Sequence, residues 1–142
     1  MTPATREDLG FLLAKASQRW NEVLAEAFAT AGFADVRPAY GSVLIPLFEE
    51  DGLRMGDLAR RARLSKQTMT DLVRRLERDG LVERRPDPAD ARASLITLSA
   101  RSRAFRPVAE DILRRLDGEA RRELGAERVA ELRAALARLA EL

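Results

Sequence analysis

Between Ser65 and Ser99 the apolar residues change their spacing from a helical period of about 3.6 to a strand period of about 2, and few small folds accommodate that order. Met69, Leu72, Val73 and Leu76 stand at i, i+3, i+4 and i+7, one face of a helix that Ser65 can cap and Gly80 can end. Leu81-Val82-Glu83-Arg84-Arg85 then alternates as a short strand. Pro86-Asp87-Pro88-Ala89-Asp90 is expected to turn, continuing neither strand nor helix, and Ala93-Ser94-Leu95-Ile96-Thr97-Leu98 to return as a second strand. The hairpin would carry Arg85, Asp87, Asp90 and Arg92 at its tip. Just upstream, Leu58, Ala59, Ala62 and Leu64 mark a compact helical stretch over residues 55–64. Two helices on a very short link, the second with Lys and Arg on its free face, followed by a charged hairpin, spell a winged helix-turn-helix.

The flanks read as long helices. Thr5, with Asp8 three residues on, is expected to cap the first. Its apolar stripe is Leu9, Leu12, Leu13, Ala16, Trp20, Val23, Leu24 and Ala27, and Gly32 closes it. Pro38 lies near a second start, followed by Tyr40, Val43, Leu44, Leu47 and Phe48. Pro46 has no N–H for the Ser42 carbonyl, so a kink or an early break is expected there. Ser99 can cap a further helix with Phe105, Val108, Ala109, Ile112, Leu113 and Leu116 on one face. Asp117-Gly118 is expected to break it, with helix resuming over residues 119–142 on a seam of Val129, Leu132, Leu136 and Leu139. The predicted fold class is mainly α with a small β-hairpin wing, a single domain spanning residues 1–142. Residues 36–99 form the winged helix within it, and residues 5–32 and 100–142 the long terminal helices.

Composition excludes more than it selects. With no cysteine and no histidine, disulfides, thiolate chemistry, the commonest metal ligand and the commonest general base are all absent. No Asp/Glu spacing resembles a calcium loop, so neither a metal nor a cofactor is expected, and an enzyme reading has no nucleophile–base pair to start from. No apolar run approaches the roughly 18 residues of a membrane span, and Met1-Thr2-Pro3-Ala4 leads into polar residues without a signal-like segment. A cytoplasmic protein without membrane contact is the expectation. The net charge of +2 conceals an asymmetry. Residues 54–92 hold 11 basic and 7 acidic side chains, against 4 and 8 in residues 1–53. A polyanion would dock on that middle segment, although on charge alone a solvated basic surface explains it equally well.

The ordered motifs then point to a family. Leu58-Ala59, Ser65-Lys66-Gln67-Thr68-Met69, Leu72-Val73, Leu76-Glu77, Gly80-Leu81-Val82-Glu83-Arg84, Pro86-Asp87-Pro88-Ala89-Asp90-Ala91-Arg92 and Leu98-Ser99 resemble, in order and spacing, the MarR family of bacterial transcription regulators. The resemblance covers nearly the whole chain. It departs from the family at Ala91, where Gly or Arg is usual, around Arg101-Ser102, where a glycine is common, and at Asp71, where relatives often carry a basic residue. An acid at position 71 would repel phosphate, which suggests base reading or local pairing there.

On this reading the Ser65 cap and the first helical turn offer backbone N–H groups and a positive dipole end to a phosphate. Gln67, Thr68 and Thr70 lie off the core face and could read base edges, Gln having the geometry for adenine. Lys66, Arg74, Arg75 and Arg78 are placed to neutralise phosphates. Arg92 suits a narrow, electronegative minor groove, and the resemblance implies that Asp90 orients it. One winged helix reads only a few base pairs, so two copies on a pseudo-palindromic duplex are expected. The resemblance implies that the terminal helices form the homodimer interface. It further implies a repressor released by a small aromatic or anionic effector, for which Trp20, Arg37 and Tyr40 are candidates by type, although both rings also suit the core. The competing reading is a winged-helix protein-interaction module that never touches DNA.

Overall fold

The N-terminal apolar stripe becomes a 22-residue helix, α1 (Leu9–Thr30), in a computed structural model that describes residues 3–142. Met1 and Thr2, part of the polar opening stretch, lie outside the described residues. The cap differs from expectation. Asp8, not Thr5, precedes the helix, and its carboxylate turns back to accept the Thr5 N–H at 2.7 Å instead of capping α1. Thr5 Oγ1 accepts from the Glu7 N–H in the same tight turn. Of the stripe only Leu24 is buried, together with Phe28 beside it; Leu9, Leu12, Leu13 and Trp20 stay substantially exposed.

After a single 3-10 turn at Pro38–Tyr40 come α2 (Gly41–Glu49), α3 (Met55–Ala62) and α4 (Lys66–Arg78). Pro46 does not end α2, which runs on to Glu49. The missing N–H is tolerated in a nine-residue helix whose Val43, Leu44 and Leu47 are all buried. The turn between α3 and α4 is made by Arg63, whose backbone is left-handed (φ 56°), so that the Leu64 N–H reaches the Ala59 carbonyl at 3.0 Å. This is the hydrogen-bonding pattern of a helix C-terminus that usually employs glycine. Val43, Leu47, Leu58, Met69, Val73 and Leu76 close the core beneath the two helices.

The wing is longer than its sequence suggested. β1 (Val82–Asp87) continues through Pro86, and β2 begins at Asp90 (Asp90–Leu98), leaving only Pro88 and Ala89 as the turn. The strands pair antiparallel, Val82 with Leu98 and Arg84 with Ile96, with an irregularity between Pro86 and Asp87. Leu53 forms a further antiparallel bridge to Ile96 on the other side of β2, exchanging hydrogen bonds of 3.1 and 2.8 Å. β1 is therefore an edge strand, where a proline can sit without breaking the ladder.

The chain divides into two compact units, residues up to 108 and residues 109–142, and α5 (Ala100–Leu124) begins in the first and continues into the second. In the first unit, Ser99 Oγ accepts the Ser102 N–H as expected of a cap. Fully buried Ser102 donates its hydroxyl to the Leu81 carbonyl at 2.5 Å, fastening the entry of the wing to the start of α5. Phe105 packs edge-on against Phe28, their centroids 4.9 Å apart. In the second unit, Asp117-Gly118 does not break the helix. A mid-helix glycine costs only about 1 kcal/mol, while Asp117 is held by Arg121 at 2.6 Å and by Arg133 of α6 (Ala126–Leu139). The break falls at Gly125 (φ 91°), a conformation costly for any other residue. Val129 is buried, whereas Leu132 and Leu136 are exposed.

Candidate nucleic-acid interface

The hydrophobic face of α4 decides which residues point outward. Met69, Val73 and Leu76 are buried, so at about 100° per residue the diametrically opposite stripe is Gln67, Asp71, Arg74 and Arg78. All four are exposed. Thr70 flanks this stripe on one side, Thr68 and Arg75 on the other, and exposed Lys66 stands in the first turn, farther round beyond Thr70. Together these residues present four cations and one acid, with an amide and hydroxyls toward the N-terminal end.

The N-terminus of α4 is built as the sequence predicts. Ser65 Oγ accepts the Thr68 N–H at 3.1 Å and donates to Thr68 Oγ1 at 2.8 Å. The Ser65 side chain is thus committed to capping, and what it exposes is the dipole end of the helix. Thr70 donates its hydroxyl back to the Lys66 carbonyl at 2.8 Å and is half-buried, so of the two outlying hydroxyls Thr68 is the more accessible. Gln67 Nε2 lies 3.3 and 3.4 Å from the two carboxylate oxygens of Asp71. Arg74 Nη1 is 4.0 Å from Asp71 Oδ1, and Arg78 Nε is 3.8 Å from Asp79 Oδ1. Asp71 therefore does pair locally.

At the wing, Asp90 Oδ1 accepts both the backbone N–H of Arg92, at 3.0 Å, and its Nε–H, at 3.3 Å. The Arg92 side chain is nonetheless 92% exposed. Such an arrangement aims the guanidinium without burying it.

Two positioning contacts were not legible in the sequence. Arg54 donates through Nε to Asp87 Oδ2 at 2.7 Å, and its Nη2 is 2.5 Å from the same oxygen, tying the wing to the residue that caps α3. Asp87 Oδ1 also accepts the Ala89 N–H at 2.8 Å, closing the tip. That backbone bond, with the Arg54 guanidinium, holds the Asp87 carboxyl below its ordinary range. The second contact joins Arg101 to Asp35 at 2.6 and 2.5 Å, with the guanidinium stacked 4.6 Å over the Phe33 ring. Both pairs are separated by tens of residues, and only the fold brings them together.

The effector candidates are dispersed in character. Tyr40 is buried (2% exposed) and donates its hydroxyl to Asp79 Oδ2 at 2.5 Å, so it is a core aromatic. Burial and the neighbouring Asp79 charge push its phenol up from the ordinary value. Trp20 is 40% exposed midway along α1 and is not core within this chain. Arg37 is exposed at the start of the 3-10 turn. Among the described residues no cluster of acidic side chains could hold a metal ion, and no helix is long and apolar enough to cross a membrane.

This geometry has close counterparts. The sequence model of the MarR family matches residues 38–94, from the 3-10 turn into β2. An HTH-type transcriptional repressor of Mycobacterium bovis is 33% identical over 93 residues, 66% of this chain and 67% of that protein. The chain belongs to the MarR family. MarR-family proteins are transcription regulators, and membership places this chain among them and not among enzymes. The transcriptional activatory protein BadR of Rhodopseudomonas palustris is 43% identical over 53 residues, 37% of this chain but only 30% of BadR's length. Among solved structures, a probable transcriptional regulator from Pseudomonas aeruginosa superposes with a TM-score of 0.80 at 29% identity, covering 94% of this chain and 97% of its own. The repressor CouR, solved bound to a 23-mer DNA duplex, shares the fold (TM-score 0.79, 24% identity, 98% and 99% covered).

Proposed function

We propose that this MarR-family chain is a sequence-specific double-stranded DNA-binding repressor, acting in the cytoplasm as a homodimer on a pseudo-palindromic operator. The observation that carries the reading is the outward stripe of α4: a capped helix whose exposed face bears Gln67, Arg74 and Arg78, flanked by Arg75, with Lys66 in the first turn. That face has the dimensions and the charge to enter a major groove. Lys66, Arg75 and Arg78 neutralise phosphates and the wing Arg92, oriented by Asp90, enters the adjacent minor groove. Residues 36–99 carry this interface. The repressor assignment is supported by the mycobacterial relative, which matches over two thirds of its length.

Dimerisation is supported by two apolar stripes that their own units leave uncovered, Leu9, Leu12, Leu13 and Trp20 on α1 and Leu132 and Leu136 on α6. Exposed apolar runs of this kind mark association surfaces. A small aromatic or anionic effector releases the dimer from DNA, with Trp20 and Arg37 as the accessible contacts of suitable chemistry.

Titration of random-sequence and enriched duplexes, followed by anisotropy over a salt series, tests the reading. Binding that weakens steeply with salt and that favours an enriched site supports it. A protein indifferent to every duplex at low salt is instead the interaction module.

A further inference from the structure

The outward stripe of α4 holds an anion at its centre, where a phosphate-binding surface would gain only from cations. Asp71 lies one helical turn beyond Gln67, half exposed, opposite the buried Val73 side of the helix. Its carboxylate would repel any phosphate brought near it, so contact with the sugar–phosphate backbone is the one role this side chain cannot perform there. Base edges are different. In the major groove cytosine presents only an amino donor at N4, whereas guanine presents two acceptors, O6 and N7, and thymine presents the O4 acceptor. A carboxylate accepts from cytosine N4, or from adenine N6, which stands beside the N7 acceptor, and repels guanine and thymine, so a neighbouring donor must decide between cytosine and adenine.

Arg74 completes the pair. Its Nη1 stands 4.0 Å from Asp71 Oδ1, close without a tight ion pair, and both side chains are more than half exposed. Cytosine N4 and guanine O6 of one base pair are hydrogen-bonded to each other and so lie about 3 Å apart. A carboxylate oxygen and a guanidinium nitrogen at the spacing seen here match that donor–acceptor couple, the carboxylate accepting from N4 and the guanidinium donating to O6 and N7.

We propose that Asp71 and Arg74 together read one C·G pair in each half-site, with Asp71 on the cytosine. Gln67 supplies the register. Its amide nitrogen donates toward the Asp71 carboxylate, and it lies four residues earlier, about 6 Å along the helix axis. That distance corresponds to about two base-pair steps. The inference rests on α4 being the DNA-reading helix, so its test must separate the two.

The experiment is selection of bound sequences from random duplexes with the wild-type chain, with Asp71→Asn and with Arg74→Ala, each checked for folding by circular dichroism. The wild type is expected to enrich a half-site with one invariant C·G pair. Asp71→Asn is expected to lose that preference, the roughly 5- to 150-fold discrimination of one good base contact falling to about twofold. The remaining positions of the motif should be unchanged. Arg74→Ala should relax the same position. If Asp71→Asn enriches the wild-type motif intact, binding it and every other duplex uniformly more tightly, then the carboxylate is only a source of repulsion and the proposal fails. If the wild type enriches no duplex, DNA reading itself fails and this inference with it.

Discussion

Tyr40 and Asp79 are joined by a hydrogen bond of 2.5 Å that links the entry of α2 to the exit of α4. One partner is a buried ring and the other the residue that ends α4. Ser65 caps one end of α4 and Tyr40 fastens the other, while its outward stripe stays exposed. The side chains that would meet DNA are therefore carried on a helix whose position the rest of the first unit fixes, which is what pre-organised recognition requires.

Tyr40→Phe keeps the ring in the core and removes only the hydroxyl, leaving the half-buried Asp79 carboxylate without its donor. A loss of about 1.5–3 kcal/mol in unfolding free energy is expected, the range for a hydrogen bond to a charged group. Urea denaturation at neutral pH measures it. If Tyr40 were an effector contact alone, stability would not change.

Arg92→Ala should leave stability within about 0.5 kcal/mol of wild type, because the side chain is almost wholly exposed and its pairing with Asp90 is a surface ion pair. Operator affinity is expected to weaken by about 1–3 kcal/mol, read as an anisotropy titration at fixed salt. Unchanged affinity would remove the wing from the interface.

Asp87 gives the wing a pH dependence. Its folded-state pKa is depressed by the Ala89 N–H and by Arg54, so its contribution is complete above the ordinary carboxylate value and is lost as the pH falls through the lower folded value. Amide exchange in the hairpin is expected to quicken relative to α2 below about pH 4. Asp87→Asn should show faster hairpin exchange already at neutral pH, with the difference from wild type vanishing on acidification. A difference that persists at low pH would mean that packing, not the carboxylate, anchors the tip.

Much of this architecture was legible because it depends on local chemistry. Ser65, Gly80 and the switch of apolar period between them and Ser99 are short-range signals, and α4 and the wing follow from them. The errors share a cause. The sequence predicts a kink or break at Pro46 and breaks at Pro86 and Gly118, yet the elements run on, because the local penalty of each is small where packing or an edge position absorbs it: the buried flank of α2, the free side of β1, and the Asp117–Arg121–Arg133 cluster. The Leu53 bridge, the Arg54–Asp87 clasp and the Arg101–Asp35 pair had no local signal at all. They connect residues that only the completed fold brings together.

Trp20, the chain's single tryptophan, reports directly on the proposed association. The residue is 40% exposed on the same stripe of α1 as Leu9, Leu12 and Leu13. Burial against a second copy should blue-shift its emission, and dilution through the dimer dissociation constant should shift it back to the red. Leu12→Glu places an unpaired carboxylate on that stripe, which costs about 3 kcal/mol or more if the site is desolvated and so raises the dissociation constant by roughly two orders of magnitude. Leu136→Glu makes the same test on α6, where the leucine is 41% exposed. Sedimentation velocity over a concentration series checks both. If either variant sediments as wild type does, its helix lies outside the interface. If the wild type is monomeric at every concentration and its tryptophan emission does not move, the dimer is refuted, and with it the two-fold match to a pseudo-palindromic operator.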